Sequence, residues 1–219
     1  MYDRILARLY DPVIALPDRL VLKPYRVALA QNLSGTVLEI GAGTGAMLPF
    51  YPTAPKSPTL YALEPNPHMR RQGIARSSNV DVDVQWLDGV GEMLPITDSS
   101  IDAVVSSMAL CTVDDPNSVL AETKRVLRDG GELRVFEHVA ANGWQRQIQR
   151  GIEPVWKPLT GGCRPNRATD VMITQSGAFE PIEEHRLRVG IPPIRPFHFG
   201  RYRKSTNRVD DTESRPERS

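Results

Sequence analysis

The sequence predicts an α/β protein built on a mostly parallel sheet, and two observations carry that prediction. Short apolar or alternating stretches at 36–40, 59–63, 80–87, 101–107 and 133–136 are separated by segments with helical spacing or turn residues. Such a βαβαβ alternation lays successive strands parallel in one sheet. The first stretch, Thr36-Val37-Leu38-Glu39-Ile40, also runs directly into Gly41-Ala42-Gly43-Thr44-Gly45. Glycine there permits positive φ and lets a ligand approach the main chain closely. A helix opening near Thr44 would turn its free N–H groups into the same crevice.

Taken in order, residues 1–34 read as an N-terminal helical segment covering that crevice. Ile5, Leu6, Leu9 and Tyr10 have helical spacing, broken by Pro12 and Pro17, and a second helical piece runs from about Leu20 to Leu33. Arg4, Arg8, Arg19, Lys23 and Arg26 read as a solvated face; a peripheral membrane surface is the alternative partner for them. Ser34-Gly35 stops the helix. Met47 to Tyr51 forms a short helix ended by Pro52. Thr59 to Leu63 is the second strand, ending at Glu64-Pro65-Asn66-Pro67. Val80, Val82, Val84 and Trp86 alternate in a third strand to Leu87, and a loop from Asp88 to Pro95 follows.

Ile101 to Ser107 is the fourth strand. Pro116 to Leu127 is an amphipathic helix closed by Arg128-Asp129-Gly130-Gly131. Leu133 to Phe136 is the fifth strand, ending at Glu137-His138. Gly143 to Trp156 is a helix with Trp144, Ile148, Ile152 and Trp156 at spacings of four, a stripe that either roofs an apolar pocket or belongs to the core. An irregular loop from Lys157 to Asn166 contains Cys163, and Thr169 to Ser176 is a short helix. Phe179–Val189 and Ile191–Tyr202 are the last two strands. Residues 35–203 therefore form the main domain, and the polar stretch 204–219 is expected to be disordered.

Composition excludes several function classes. The 219 residues suit one domain with appendages, with 40% hydrophobic and 24% charged residues. A net charge of +1 offers no bulk electrostatic attraction for nucleic acid or a membrane. Two cysteines make no disulfide framework, so a reducing cytoplasm is the expected location. No apolar run is long enough to span a membrane, and the N-terminus lacks the apolar core of a signal peptide.

Two ligand chemistries compete for the glycine turn. Gly41-x-Gly43-x-x-Ala46 satisfies the loose dinucleotide fingerprint. Glu39 favours the other. A carboxylate inside an otherwise apolar central strand needs a partner, and phosphate would repel it. S-adenosylmethionine, with its ammonium and sulfonium, would not. Glu64 lies 19 positions after Gly45 at the end of a strand, placed to accept both ribose hydroxyl protons.

These stretches resemble class I S-adenosylmethionine-dependent methyltransferases over residues 36–138. The resemblance rests on Val37 to Gly45, Glu64, Gly91-Glu92-Met93-Leu94-Pro95, Ile101 to Val104 and Val126 to Gly131. It implies a Rossmann-like, seven-stranded, mostly parallel sheet with a C-terminal antiparallel hairpin. It also implies S-adenosylmethionine as cofactor and S-adenosylhomocysteine as product. The cofactor-binding residues it implies are Glu39, Gly41, Gly43, Gly45, Glu64, Asp88, Gly91, Glu92 and Ser107. Many relatives carry an adenine-binding Asp where this chain has Val90, so adenine recognition falls to the Gly91 N–H with Asp88 or Glu92.

A narrower similarity, to the methyltransferase-like 7 group of thiol S-methyltransferases, extends through Leu110 to Val113, Phe136 to Val139, Pro154-Val155-Trp156, Gly162-Cys163 and Arg167-Ala168-Thr169. Animal members carry an N-terminal membrane anchor, and residues 1–34 show no comparable apolar stretch. The acceptor implied is a small, apolar molecule, a thiol first. A lipid, quinone-like or natural-product acceptor methylated on O, N or C is the alternative, and a non-catalytic binding module is the third reading. The oligomeric state is open. His138 is the candidate base and Glu137 the group that holds substrate or orients His138. Cys111 and Cys163 read as small buried residues, and no metal is assigned.

Overall fold

The computed structural model describes residues 22–189 and 195–206. The expectations for residues 1–21, for 207–219 and for the start of the last strand lie outside these. Seven strands form one sheet: β1 (Thr36–Ile40), β2 (Thr59–Leu63), β3 (Asp83–Leu87), β4 (Ile101–Ser107), β5 (Leu127–His138), β6 (Phe179–Leu187) and β7 (Phe197–Lys204). Their spatial order is β3-β2-β1-β4-β5-β7-β6. The first five are parallel, whereas β7 runs antiparallel to both β5 and β6. The expected sheet and its C-terminal hairpin are therefore both present. The strand order reverses beside β1, so its carboxyl end faces β2 on one side and β4 on the other. Open α/β sheets bind ligands at such a switch point.

Among the described residues five helices accompany the sheet: α1 (Lys23–Ala30), α2 (Pro67–Ser77), α3 (Pro116–Val126), α4 (Gly143–Leu159) and α5 (Thr169–Gln175). Side chains alternate across each strand, so the sheet divides the core into two layers. Leu38, Ile40, Val104 and Val135 pack on one face with Leu120 of α3. Val37, Val105 and Phe136 pack on the other with Leu29 of α1. Tyr25 of α1 stacks on Phe136 at 4.9 Å, which in turn stacks on Phe197 at 5.0 Å.

Several boundaries differ from expectation. The helix expected over 47–51 is a single 3₁₀ turn, Leu48–Phe50. The third strand begins at Asp83 rather than Val80. Arg128 to Gly131, expected to close α3, lie within β5. Ile101 pairs with Leu127 but Ala103 with Glu132, so these residues bulge from the ladder, with Gly130 at φ +77°. The helix read as ending at Trp156 continues to Leu159 despite Pro154 and Pro158. In that helix Trp144 and Ile148 are exposed, and neither lines the cavity at the strand ends.

Candidate active site

The site is a cavity of about 510 Å³ at the carboxyl ends of β1, β2 and β4. Gly41 and Gly43 after β1, Glu64 to Asn66 after β2, Val90 to Glu92, and Met108 after β4 line it. Gly41, Gly43 and Gly45 have φ of +66°, +56° and +77°, where an L side chain is strained. A Cβ on Gly41 would lie 2.6 Å from the Ala109 Cβ, and one on Gly45 would lie 2.7 Å from Leu48 Cδ1. Gly43 faces nothing closer than 3.9 Å and sits on the cavity. Gly41 and Gly43 thus line the ligand space, whereas Gly45 serves packing against Leu48.

Glu64 is the best-defined polar group of the cavity. Its Oε2 accepts the Gly43 N–H at 2.9 Å and its Oε1 the Asn66 N–H at 2.8 Å. Asn66 is itself the N-cap of α2, accepting from His68 and Met69. One carboxylate therefore ties the glycine turn to the end of β2 and is held rigid, with lone pairs left for a ligand. Burial pushes its carboxyl above the ordinary carboxylate range, against the pull of the two N–H donors and the Arg70 charge.

The remaining sequence-assigned residues divide. Gly91 and Glu92 line the cavity. Gly91 presses on Val119 and Ile40, which a Cβ would meet at 3.1 and 3.2 Å. Glu92 Oε1 accepts the N–H groups of Asp114 and Asp115 at 2.9 and 3.1 Å, so it also anchors the loop entering α3. Asp88 is outside the lining, held bidentately by Arg70 at 2.9 and 2.8 Å. Ser107 is also outside it, its buried Oγ without a hydrogen-bond partner among the described residues.

Glu39 departs furthest from expectation. The strand pleat puts it on the Val37 face, away from the cavity that Ile40 lines. Its Oε2 accepts from the Tyr51 hydroxyl at 3.0 Å. Arg26, expected on a solvated face, is 3% exposed and supplies the nearby positive charge. Burial pushes the Glu39 carboxyl up to about 7, against the Tyr51 hydrogen bond and Arg26. The partner that a buried carboxylate demands comes from within the chain.

Behind the cavity lie the two expected catalytic residues, neither in its lining. Glu137 is fully buried. Its Oε1 accepts the Ser106 hydroxyl at 2.6 Å and the N–H groups of Ala109 and Leu110 at 3.0 and 3.1 Å; its Oε2 accepts the Cys111 N–H at 3.1 Å. This carboxylate folds the loop after β4 around itself and holds Met108 at φ +61° on the cavity wall. His138 packs against Phe197 at 4.3 Å, and its Nδ1 lies 3.4 Å from Cys163 Sγ. Hydrogen bonding from the Cys111 thiol and the nearby His138 imidazole pull the Cys163 thiol down, whereas Cys163 and burial push the Cys111 thiol up. Sequence reasoning missed this convergence because the two cysteines are far apart in the chain and have no short metal- or redox-type spacing.

Residues 38–135 match a family model described as a methyltransferase domain. The fold is that of a class I methyltransferase. Human thiol S-methyltransferase TMT1B is 37% identical over 139 residues, covering 61% of this chain and 55% of the relative. A malonyl-[acyl-carrier protein] O-methyltransferase of Hahella chejuensis is 30% identical over 131 residues, covering 60% and 44%. A SAM-dependent methyltransferase of Thermotoga maritima superposes with a TM-score of 0.66 at 23% identity, over 94% of this chain and 100% of that one. The chain thus spans about half the length of the curated relatives it matches. The site fits S-adenosylmethionine on its own geometry: a cavity of nucleoside-binding size, a glycine turn at its wall, and a rigid carboxylate with free acceptor capacity. No helix among the described residues is long and apolar enough to cross a membrane.

Proposed function

We propose that this chain is an S-adenosylmethionine-dependent methyltransferase whose acceptor is a small, apolar thiol. The observation that carries the reading is Glu64, fixed by the Gly43 and Asn66 N–H groups at the edge of the cavity. In this reading its free lone pairs accept the two ribose hydroxyls, and Gly41 and Gly43 let the amino-acid end pass close to the main chain. The thiol is supported by the relative named thiol S-methyltransferase, the more similar of the two curated relatives above. The match to an O-methyltransferase keeps an oxygen acceptor as the alternative.

When bound, the cofactor supplies a methyl group already activated by its positive sulfur. The chain then has to bind, orient and exclude water. A thiol with an ordinary value near 8.5 needs little help to ionise. Met108, Thr112, Val113, Gly161 and Gly162, which also line the cavity, would hold an apolar acceptor. Glu137 acts here as a positioning residue, because both its oxygens hold the Met108 loop. His138 bears on the reaction through Cys163, whose Sγ lies 3.4 Å from its Nδ1. The test is transfer of labelled methyl from S-adenosylmethionine to alkyl and aryl thiols with matched alcohols as controls. Product with thiols alone supports the reading; product with alcohols alone overturns the acceptor assignment.

A further inference from the structure

Three soft or imidazole donors meet behind the acceptor end of the cavity: Cys111 after β4, His138 at the end of β5 and Cys163 after α4. Their ligand atoms all lie within 4.8 Å of one another, and all three residues are buried. The His138 Nδ1 to Cys163 Sγ distance is 3.4 Å. Around a tetrahedral zinc ion, with bonds of about 2.3 Å to sulfur and 2.0 Å to nitrogen, neighbouring ligand atoms stand roughly 3.5–3.8 Å apart. The three donors need only a small adjustment to reach that spacing.

The scaffold behind them is rigid. The Arg164 N–H donates to the Cys111 carbonyl at 2.9 Å, tying the two cysteine loops together. Glu137, adjacent to His138 in the chain, holds the Cys111 N–H at 3.1 Å. Arg167 Nη1 donates to the Leu110 and Val113 carbonyls at 2.7 Å each, clamping the Cys111 loop from outside. Three segments, the loop after β4, the end of β5 and the loop after α4, are thus tied together through the main chain around the two thiols and the imidazole. The charges also agree. Two buried thiolates are costly without a counter-charge, and a dication neutralises both. Two thiolates with one imidazole select a soft or borderline ion over magnesium or calcium.

We propose that Cys111, His138 and Cys163 bind one zinc-type divalent ion with three protein ligands. Thr112 and Gly162, the chain neighbours of the two cysteines, line the cavity. The fourth position of the ion accordingly opens toward the acceptor. An acceptor thiol can fill it by forming a metal–sulfur bond as its S–H proton leaves to solvent. This last consequence rests on the methyltransferase reading; the ion site does not.

The experiment uses the full chain, purified reduced, stripped with a chelator and titrated with cobalt(II), then zinc(II). Expected is uptake of about one ion per chain with thiolate-to-cobalt charge-transfer absorption, displaced by zinc. Zinc should also protect both cysteines from a thiol reagent. Cys111→Ser and Cys163→Ser should each weaken binding at least about tenfold. The wild-type protein decides the matter if either variant fails to fold. Reduced, folded wild-type protein with no charge-transfer band and no zinc protection overturns the site, as does a Cys111–Cys163 disulfide with no ion uptake after reduction. Calorimetry of S-adenosylhomocysteine on the stripped protein reads the cofactor site separately. Failure there, with cobalt still bound, counts against the methyltransferase reading alone.

Discussion

Replacing Glu64 by alanine is the sharpest probe of the cofactor site. The carboxylate accepts two main-chain N–H groups, at 2.9 and 2.8 Å, and in the proposed reading it accepts two ligand hydroxyls as well. Hydrogen bonds to a charged group contribute about 1.5–3 kcal/mol each. Loss of two ligand bonds therefore weakens cofactor binding by about 3–6 kcal/mol, or roughly 10²–10⁴-fold. The fold should tolerate the change, because the freed N–H groups of Gly43 and Asn66 border the cavity and can reach water. Calorimetric titration with S-adenosylhomocysteine, beside thermal unfolding of the same sample, measures both effects. Affinity within about threefold of wild type in a folded variant would refute the ribose assignment, since even one lost charge-assisted bond exceeds that change.

Other perturbations test the scaffold. Glu39 is raised from 4.5 to about 7, so the folded state favours its protonated form. That contribution is complete below the unfolded value and is lost as pH rises through about 7, a difference of ~3 kcal/mol. Glu39→Gln should flatten this fall between pH 5 and 8, and a wild-type stability that rises across that range in urea melts contradicts the burial argument. Glu137→Ala leaves three N–H groups and the Ser106 hydroxyl without their acceptor, and should cost roughly 3–5 kcal/mol by denaturant unfolding. Glu137→Gln, which keeps an acceptor oxygen, should cost less than half of that. Gly41→Ala forces a Cβ to within 2.6 Å of Ala109 at φ +66° and should destabilise by about 2–4 kcal/mol. Adding Ala109→Gly should recover only part of the loss, because it relieves the contact and not the dihedral angle; full recovery would show that the backbone carries no strain.

The sequence by itself determined the parallel sheet, the glycine turn and the acid at the end of the second strand. These are local patterns: strand alternation, glycine where φ is positive, and a fixed distance from Gly45 to Glu64. The resemblance to class I methyltransferases, rather than local pattern, pointed to Gly91 and Glu92, and both line the cavity. Local pattern misread Arg128 to Gly131, since glycine serves a helix end and a strand bulge equally well and only pairing between Ala103 and Glu132 distinguishes them. It also pointed Glu39 at the ligand. Tertiary structure decided otherwise, because the pleat gives Ile40 to the cavity and Glu39 to the opposite layer, where Tyr51 and Arg26 wait. Glu137 looked like a reactive group at a strand end, yet its four donors come from residues 26 to 31 positions earlier in the chain. The meeting of Cys111, His138 and Cys163 belongs wholly to the fold. No spacing in the chain encodes it; it exists because β4 and β5 are neighbours and the loop after α4 returns across their ends.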